Sequence, residues 1–128
     1  MTGEISTSLE DYFDMTEITI TLPLPPSMNH YWRRVGRKTL ISAKGREFKA
    51  DCETMAKMQR VEKFDGEVAV DATIYMARLG CDLDNRIKPL LDALNGIAYD
   101  DDGQVSEIRM VRGLDRGNPR VEVTLRAA

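Results

Sequence analysis

The chain has 128 residues, of which 42% are hydrophobic and 30% charged, and this is typical of one compact domain with a single core. No apolar run approaches the roughly 18 residues needed to cross a bilayer, and the acidic start lacks the layout of a signal peptide, so we expect a cytoplasmic protein without a membrane partner. Cys52 and Cys81 form no CxxC pair and His30 is the only histidine, which argues against a zinc site or a disulfide framework.

The charges are distributed unevenly, although the net charge is only −3. Residues 1–16 are acidic, contain no Lys or Arg and have no hydrophobic period, so we expect a leader ahead of one domain at residues 17–128. Residues 18–46 contain no acid and six cations, a positive segment of the kind that attracts phosphate backbones. With one later arginine, the predicted nucleic-acid-binding residues are Arg33, Arg34, Arg37, Lys38, Lys44, Arg46 and Arg86.

The first half of the domain is predicted to hold one strand and one helix. Alternating isoleucine and threonine over residues 18–22 indicates a half-buried strand, which the following prolines terminate. A loop is expected through Lys38. A helix capped by Ser42 then runs to about residue 61. Its predicted buried stripe is Phe48, Cys52, Met55 and Met58.

The second half is predicted to hold strand, helix, strand and strand. Apolar residues at every second position from Val68 to Met76 predict a strand at residues 67–77. A helical stripe from Ile87 to Leu94 follows, and this helix should begin late or irregularly because Pro89 fits only a first turn. Two further strands are expected at about 104–111 and 120–125.

This order suits an α+β domain of two layers, in which both main helices cover one face of a four-stranded mixed sheet. The opposite face of the sheet must then be buried in another way. Strand 67–77 would place Ala69, Thr73, Tyr75 and Ala77 there, which is too apolar a set for full solvation. We therefore expect a partner subunit on this face, and hence a homodimer.

Acidic side chains concentrate in two separated segments. Asp82 and Asp84 lie two residues apart, so both carboxylates point one way in an extended stretch, and Lys88 follows Asp84 by one helical turn. An acidic turn at residues 100–102 precedes the next predicted strand. We expect the connecting helix to bring Asp82, Asp84, Asp101 and Asp102 into one pocket.

Such a pocket requires a cation, because two like charges 4 Å apart repel by roughly 4 kcal/mol at an effective dielectric constant of 20. Oxygen ligands select hard ions, and Mg²⁺ keeps waters that a substrate phosphate can replace. The segments therefore indicate a phosphodiester site, in which Lys88 either stabilises charge on the scissile phosphate or orients it.

Each feature also has a purely structural interpretation, and these stay open. Asp84 or Asn85 could cap the second helix. Residues 100–103 could be an ordinary acidic turn or a fragment of a calcium loop, although no later bidentate glutamate follows. The positive segment could be a solvated surface, and Lys88 a solvated helix residue.

Taken together, the motifs resemble the RusA-type Holliday junction resolvases over most of residues 17–125. The resemblance rests on Pro25-Pro-Ser-Met-Asn29 with Tyr31, on Ser42-Ala-Lys-Gly45, on Asp82-Leu-Asp-Asn-Arg-Ile-Lys-Pro-Leu-Leu-Asp-Ala-Leu94, and on Asp101-Asp-Gly-Gln-Val105. It implies a homodimeric enzyme that nicks two strands of a four-way DNA junction symmetrically with Mg²⁺ or Mn²⁺. The essential residues implied are Asp82, Asp84, Asp102 and Lys88, with Asp101 as an assistant.

Two departures from the family pattern accompany this resemblance. The acidic leader is longer than usual, and only Arg78 supplies a cation just before the aspartate pair, where relatives often carry a basic run. Three alternatives remain at this point. These are a broader Mg²⁺ nuclease acting on flaps or forks, a noncatalytic junction-binding protein, and a small Ca²⁺-binding regulatory domain.

Overall fold

The computed structural model describes residues 17–78, 80 and 82–128. The predicted acidic leader at residues 1–16, and Cys81 of the cysteine argument, lie outside the described residues. The elements are β1 Glu17–Pro23, α1 Met28–Tyr31, β2 Trp32–Val35, β3 Lys38–Ile41, α2 Ala43–Met58, β4 Val68–Met76, α3 Asp84–Ala93, a 3-10 turn Asp102–Gln104, β5 Val105–Leu114 and β6 Arg120–Ala127.

Four of the strands form one mixed sheet in the order β1-β6-β4-β5. β4 and β5 are parallel, and α3 lies in the connection between them, whereas β6 is antiparallel to both β1 and β4. The predicted α+β class, with a four-stranded mixed sheet and two main helices, is confirmed. In the part of the chain described here, no helix is long and apolar enough to span a membrane.

The core lies between the sheet and the two main helices. Every second residue of β4, from Val68 to Met76, is buried, as the alternation predicted. Phe48 and Cys52 of α2 join Leu90 of α3 in the same hydrophobic cluster. Burial of these side chains on one face of the sheet supplies the main driving force for folding, at about 25 cal/mol per Å² of apolar surface.

The predicted loop before Lys38 is wrong, because β2 and β3 form a hairpin there. Val35 pairs with Lys38 across a two-residue turn, and Gly36 adopts the positive φ of 61° that such turns require. All eight residues from Arg33 to Leu40 are exposed, so no burial alternation marks the strands. The spacing of hydrophobic residues therefore gave no indication of this hairpin.

Helix α2 begins as predicted, with the Ser42 hydroxyl accepting a hydrogen bond from the Gly45 amide at 3.0 Å. It ends at Met58, three residues before the predicted end, and Met58 is 78% exposed. Its place in the predicted buried stripe was therefore wrong. Ala56 is buried near this end of the helix instead, because it continues the i, i+4 row of Phe48 and Cys52, whereas Met58 lies on nearly the opposite side of the helix.

Helix α3 begins at Asp84 and contains Pro89, so the predicted late start is wrong. Proline in a helix interior removes one backbone donor, here the one that would face the Asn85 carbonyl. Pro89 and Leu90 are both buried against the core. Burial of this apolar pair offsets the lost hydrogen bond and keeps the helix continuous.

The second face of the sheet is less apolar than β4 alone suggested. Ala69 pairs in register with Glu107 on one side and Arg126 on the other, and these two side chains form an ion pair with each other. Farther along, the Arg120 guanidinium lies 4.2 Å from the centre of the Tyr75 ring. Charged residues of the neighbouring strands thus share this face with the small and aromatic residues of β4.

Candidate active site

The first acidic segment lies at the start of α3. Asp82 precedes the helix and accepts a hydrogen bond from the Asn85 side chain at 3.3 Å. Asp84 is the first helical residue, and its negative charge interacts favourably with the positive end of the helix dipole. Both carboxylates are exposed. Leu83 packs against the core between them, so the two aspartates stay on the surface.

The second acidic segment is a tightly bonded turn at the start of β5. Asp101 accepts from the Gly103 amide at 3.2 Å, while the Gln104 side chain accepts from the Asp101 amide. The Gln104 side-chain nitrogen also donates to the carbonyls of Phe64 and Gly66, both at 2.9 Å. These bonds fix the backbone that carries Asp102.

Lys88, one helical turn after Asp84, contacts Asp102 of the second acidic segment. The Lys88 ammonium lies 3.2 Å from a carboxylate oxygen of Asp102, across 14 residues of sequence. Asp102 is the more enclosed partner, with 26% of its side chain exposed against 52% for Lys88. The pair sets a positive charge beside one carboxylate and leaves Asp82 and Asp84 facing solvent nearby in sequence.

In residues 17–78, 80 and 82–128, no three acidic, histidine or cysteine side chains stand close enough to hold a metal ion together. The structure thus brings Lys88 to Asp102 without gathering Asp82, Asp84 and Asp102 into a three-ligand cluster. Mutual repulsion between carboxylates favours this spread arrangement. The donors themselves are all oxygen atoms on exposed or half-buried side chains, a set that fits a hard divalent cation.

Helix α3 is also held in place by contacts with the segment that precedes the hairpin. The Tyr31 hydroxyl donates to the Asp92 carboxylate, and the Arg86 guanidinium donates to the Pro25 carbonyl. Burial raises the pKa of Tyr31 well above its usual value, and the hydrogen bond to Asp92 acts in the same direction. These contacts attach the helix that bears Lys88 to the segment before the hairpin.

Sequence analysis assigned no role to Tyr31 or Asp92. Each of the two residues appeared only within a quoted motif. The one available signal was that Asp92 lies two helical turns after Asp84, on a helix predicted to carry chemistry. Nothing in the spacing connects it to a tyrosine 61 residues away.

Six of the seven predicted nucleic-acid-binding residues are exposed, and the seventh is half-buried. Arg33, Arg34, Arg37 and Lys38 are exposed on the hairpin. Lys44 and Arg46 are exposed on the first turn of α2, and Arg46 donates to the carbonyl that ends β3 at 2.9 Å. Arg86 is half-buried and bound to the Pro25 carbonyl, so its environment differs from that of the other six.

Comparisons with known proteins agree on one family. Residues 23–126 match the family described as Endodeoxyribonuclease RusA. The chain is 36% identical over 104 residues to the crossover junction endodeoxyribonuclease rusA of Enterobacteria phage HK97, covering 78% of this chain and 86% of the relative. It is 30% identical over 120 residues to the crossover junction endodeoxyribonuclease RusA of Escherichia coli (strain K12), covering 87% and 95%. Over the same length and shares it is 32% identical to the rusA enzyme of Enterobacteria phage 82.

Proposed function

This chain belongs to the RusA family of endodeoxyribonucleases, and from that premise we propose how it acts on a crossover junction. It is a crossover junction endodeoxyribonuclease, an enzyme of DNA recombination that resolves Holliday junctions. Our proposal is that it makes paired symmetric nicks in a four-way junction and that the reaction takes place beside Lys88. The observation that carries this proposal is the contact between Lys88 and Asp102, which links the helix that follows the first acidic segment to the second acidic segment.

We propose that Asp82, Asp84 and Asp102, assisted by Asp101, hold a divalent metal ion, Mg²⁺ or Mn²⁺. When bound, such an ion lowers the pKa of a water and neutralises charge on the phosphate. The chain supplies the oxygen donors and, in Lys88, a flexible ammonium. A cation bound at Asp102 would release Lys88 from its ion pair, because both compete for the same carboxylate. The free ammonium can then stabilise negative charge on the scissile phosphate.

The exposed cations of the hairpin are the proposed contacts to the DNA backbone. Phosphate contacts dominate the affinity of most DNA-binding proteins and set the register of the protein on its substrate. Among the residues that the structure describes, no acidic side chain forms an ion pair with Arg33, Arg34, Arg37 or Lys38, and no acid occurs in residues 18–46. This segment therefore presents uncompensated positive charge to a polyanion.

A homodimer completes the proposal. A four-way junction has approximate two-fold symmetry, so a two-fold protein can present equivalent sites to opposed strands. Thr73 and Tyr75 on the second face of the sheet are half-buried and remain available to a second copy. Paired incision then requires no other enzyme.

The direct test incubates the purified chain with a synthetic mobile four-way junction, in Mg²⁺ or in EDTA. We expect symmetric nicked duplex products in Mg²⁺ only. Asp82→Asn and Asp84→Asn should each abolish cutting and spare junction binding, because they remove a ligand charge but no proposed DNA contact.

Asp65→Asn is the matched control, since Asp65 is an exposed aspartate outside both acidic segments. It should cut at the rate of the unchanged chain. If either Asn variant at Asp82 or Asp84 also cuts at that rate, the residue concerned is not a ligand. Faster cutting of flaps or forks than of four-way junctions would replace paired junction resolution with a broader nuclease activity.

A further inference from the structure

The hairpin has an outer face of mixed chemistry. In an antiparallel pair, residues directly opposite share a face, and so do alternate residues of one strand. Val35 is opposite Lys38, and Arg33 is opposite Leu40, so these four side chains lie together on one face. The two apolar residues occupy one diagonal of that face and the two cations occupy the other.

The opposite face of the hairpin is turned toward the body of the domain. Trp32 and Ile41 form its innermost pair, both are half-buried, and Trp32 packs against the core. Trp32 also meets the buried ring of Tyr31 edge to face, with ring centres 4.8 Å apart. The face that bears Val35 and Leu40 must therefore point away from the core.

The base of the hairpin is firmly attached. The Ser42 amide donates to the Tyr31 carbonyl at 2.8 Å, and the Ser42 hydroxyl donates to the carbonyl of His30. These bonds close the two strands where they leave the domain. The hairpin is thus a fixed projection, and its outer face needs little reordering when it meets a partner.

Val35 and Leu40 are both exposed apolar side chains, at 45% and 46%. Single exposed apolar residues are ordinary, but two neighbours on a projecting face, surrounded by cations, indicate a contact surface. The absence of acid from residues 18–46 selects a polyanionic partner. Apolar side chains contribute nothing to a phosphate contact, so they require a second, apolar component in the same partner.

We propose that Val35 and Leu40 form a wedge that packs against the bases at the branch point of a DNA junction, while Arg33 and Lys38 bind the flanking phosphates. Proteins that bend DNA use apolar side chains in this way, inserting them between base steps. Continuous duplex resists such insertion because stacking must be broken first. At a branch point the stack is already interrupted, so insertion costs least there. The inference rests on the proposed junction function and names the part of the substrate that the hairpin recognises.

The test uses the full chain in EDTA with junctions that carry a fluorescent adenine analogue, whose emission rises when the base unstacks. One junction carries the analogue at the branch point, and another carries it within an arm. The unchanged chain should raise the emission at the branch point only. The double variant Val35→Ser, Leu40→Ser should lose most of that rise and bind the junction about tenfold more weakly, with duplex affinity unchanged.

Two further variants separate the wedge from the charges. Arg33→Gln with Lys38→Gln should weaken binding to junction and duplex alike and lower the salt dependence of both. Met58→Ser is the control, because it removes an even more exposed apolar side chain from the end of α2, outside the hairpin. It should leave binding and emission unchanged. Circular dichroism should show that each variant keeps the fold, since all of these side chains are exposed.

The wedge is wrong if the double serine variant keeps both its junction affinity and its branch-point emission. It is also wrong if that variant loses junction affinity only because it has changed from dimer to monomer by light scattering, since the pair would then be a contact between copies. Failure of the proposed function looks different. In that case the unchanged chain would bind four-way junction no better than duplex and would not cut it in Mg²⁺.

Discussion

The buried thiol of Cys52 makes the stability of this domain sensitive to alkaline pH. Cys52 is fully buried, and this burial raises the pKa of its thiol to about 12, with smaller contributions from Asp51 and Glu53. The native state therefore keeps the proton after the unfolded chain, with an ordinary thiol pKa of 9.0, has lost it. Because the unfolded state then binds fewer protons, the free energy of unfolding falls as the pH rises above about 9.

We expect the thiol alone to remove about 1.4 kcal/mol of stability between pH 8 and pH 10, since one pKa unit corresponds to about 1.36 kcal/mol. Urea denaturation of the unchanged chain and of Cys52→Ala at the two pH values measures this. Cys52→Ala lowers stability at both values by creating a cavity, but its loss between them should be smaller by about that amount. Equal losses in the two proteins would show that the thiol is not the titrating group. The remaining loss in Cys52→Ala should come from Tyr31 and Tyr99, whose pKa values burial also raises.

For individual residues, the sequence indicated which side chains are candidates for catalysis and metal binding, but not which side chains contact one another. The two-residue spacing of Asp82 and Asp84 and the acidic turn predicted a shared site, and their proposed roles remain predictions. The partner of Lys88 could not be read from spacing, because helical geometry suggested Asp84 whereas the ammonium contacts Asp102. That choice depends on how α3 is placed over the sheet, which no local pattern specifies.

Among the contacts between elements, the joint between the hairpin and α2 is closely packed around Gly45. A Cβ atom on Gly45 would lie 2.6 Å from the Tyr31 carbonyl oxygen and 2.7 Å from a methyl group of Ile41. Both distances are shorter than van der Waals contact allows, and one of the two atoms is backbone. A larger residue at this position would therefore force the Tyr31 backbone or the Ile41 side chain to shift.

Gly45→Ala should destabilise the domain by about 1 to 3 kcal/mol, the usual cost of overpacking, even though alanine is the better helix former. Gly66→Ala is the matched control, because a Cβ there would meet nothing within 4 Å. We expect its effect to stay within about 0.5 kcal/mol. Chemical denaturation of both variants checks this. A Gly45→Ala variant as stable as the unchanged chain would mean that the helix and hairpin can separate at little cost.

Elements with a buried face were predictable, and those without one were not. β4 and the start of α2 followed from alternation and from the Ser42 cap, since burial and capping leave local sequence signals. The hairpin left none because nearly all of it is solvated. The extent of α3 was misjudged because Pro89 was weighed by its helix propensity alone, and tertiary burial overrode that propensity.

For the whole molecule, the second face of the sheet is the surface at which we propose that two copies meet. The sequence of β4 alone predicted an apolar surface, yet the neighbouring strands add ion pairs such as Arg109 with Asp71, 3.5 Å apart. Side chains contributed by strands distant in sequence cannot be read from one strand. A face that mixes half-buried Thr73 and Tyr75 with paired charges resembles a protein interface, where polar contacts surround a small apolar centre.

We therefore expect light scattering at micromolar concentration to give the mass of two copies. Thr73→Arg should shift this mass toward one copy, because it places a long charged side chain at the centre of the proposed contact. Thr54→Arg adds the same side chain to the exposed surface of α2 and should remain dimeric. A monomeric unchanged chain would remove the dimer altogether, whereas a dimeric Thr73→Arg would move the contact to another surface. If the dimer is what couples two incisions, Thr73→Arg should also produce singly nicked junctions, since each copy would then cut without its partner.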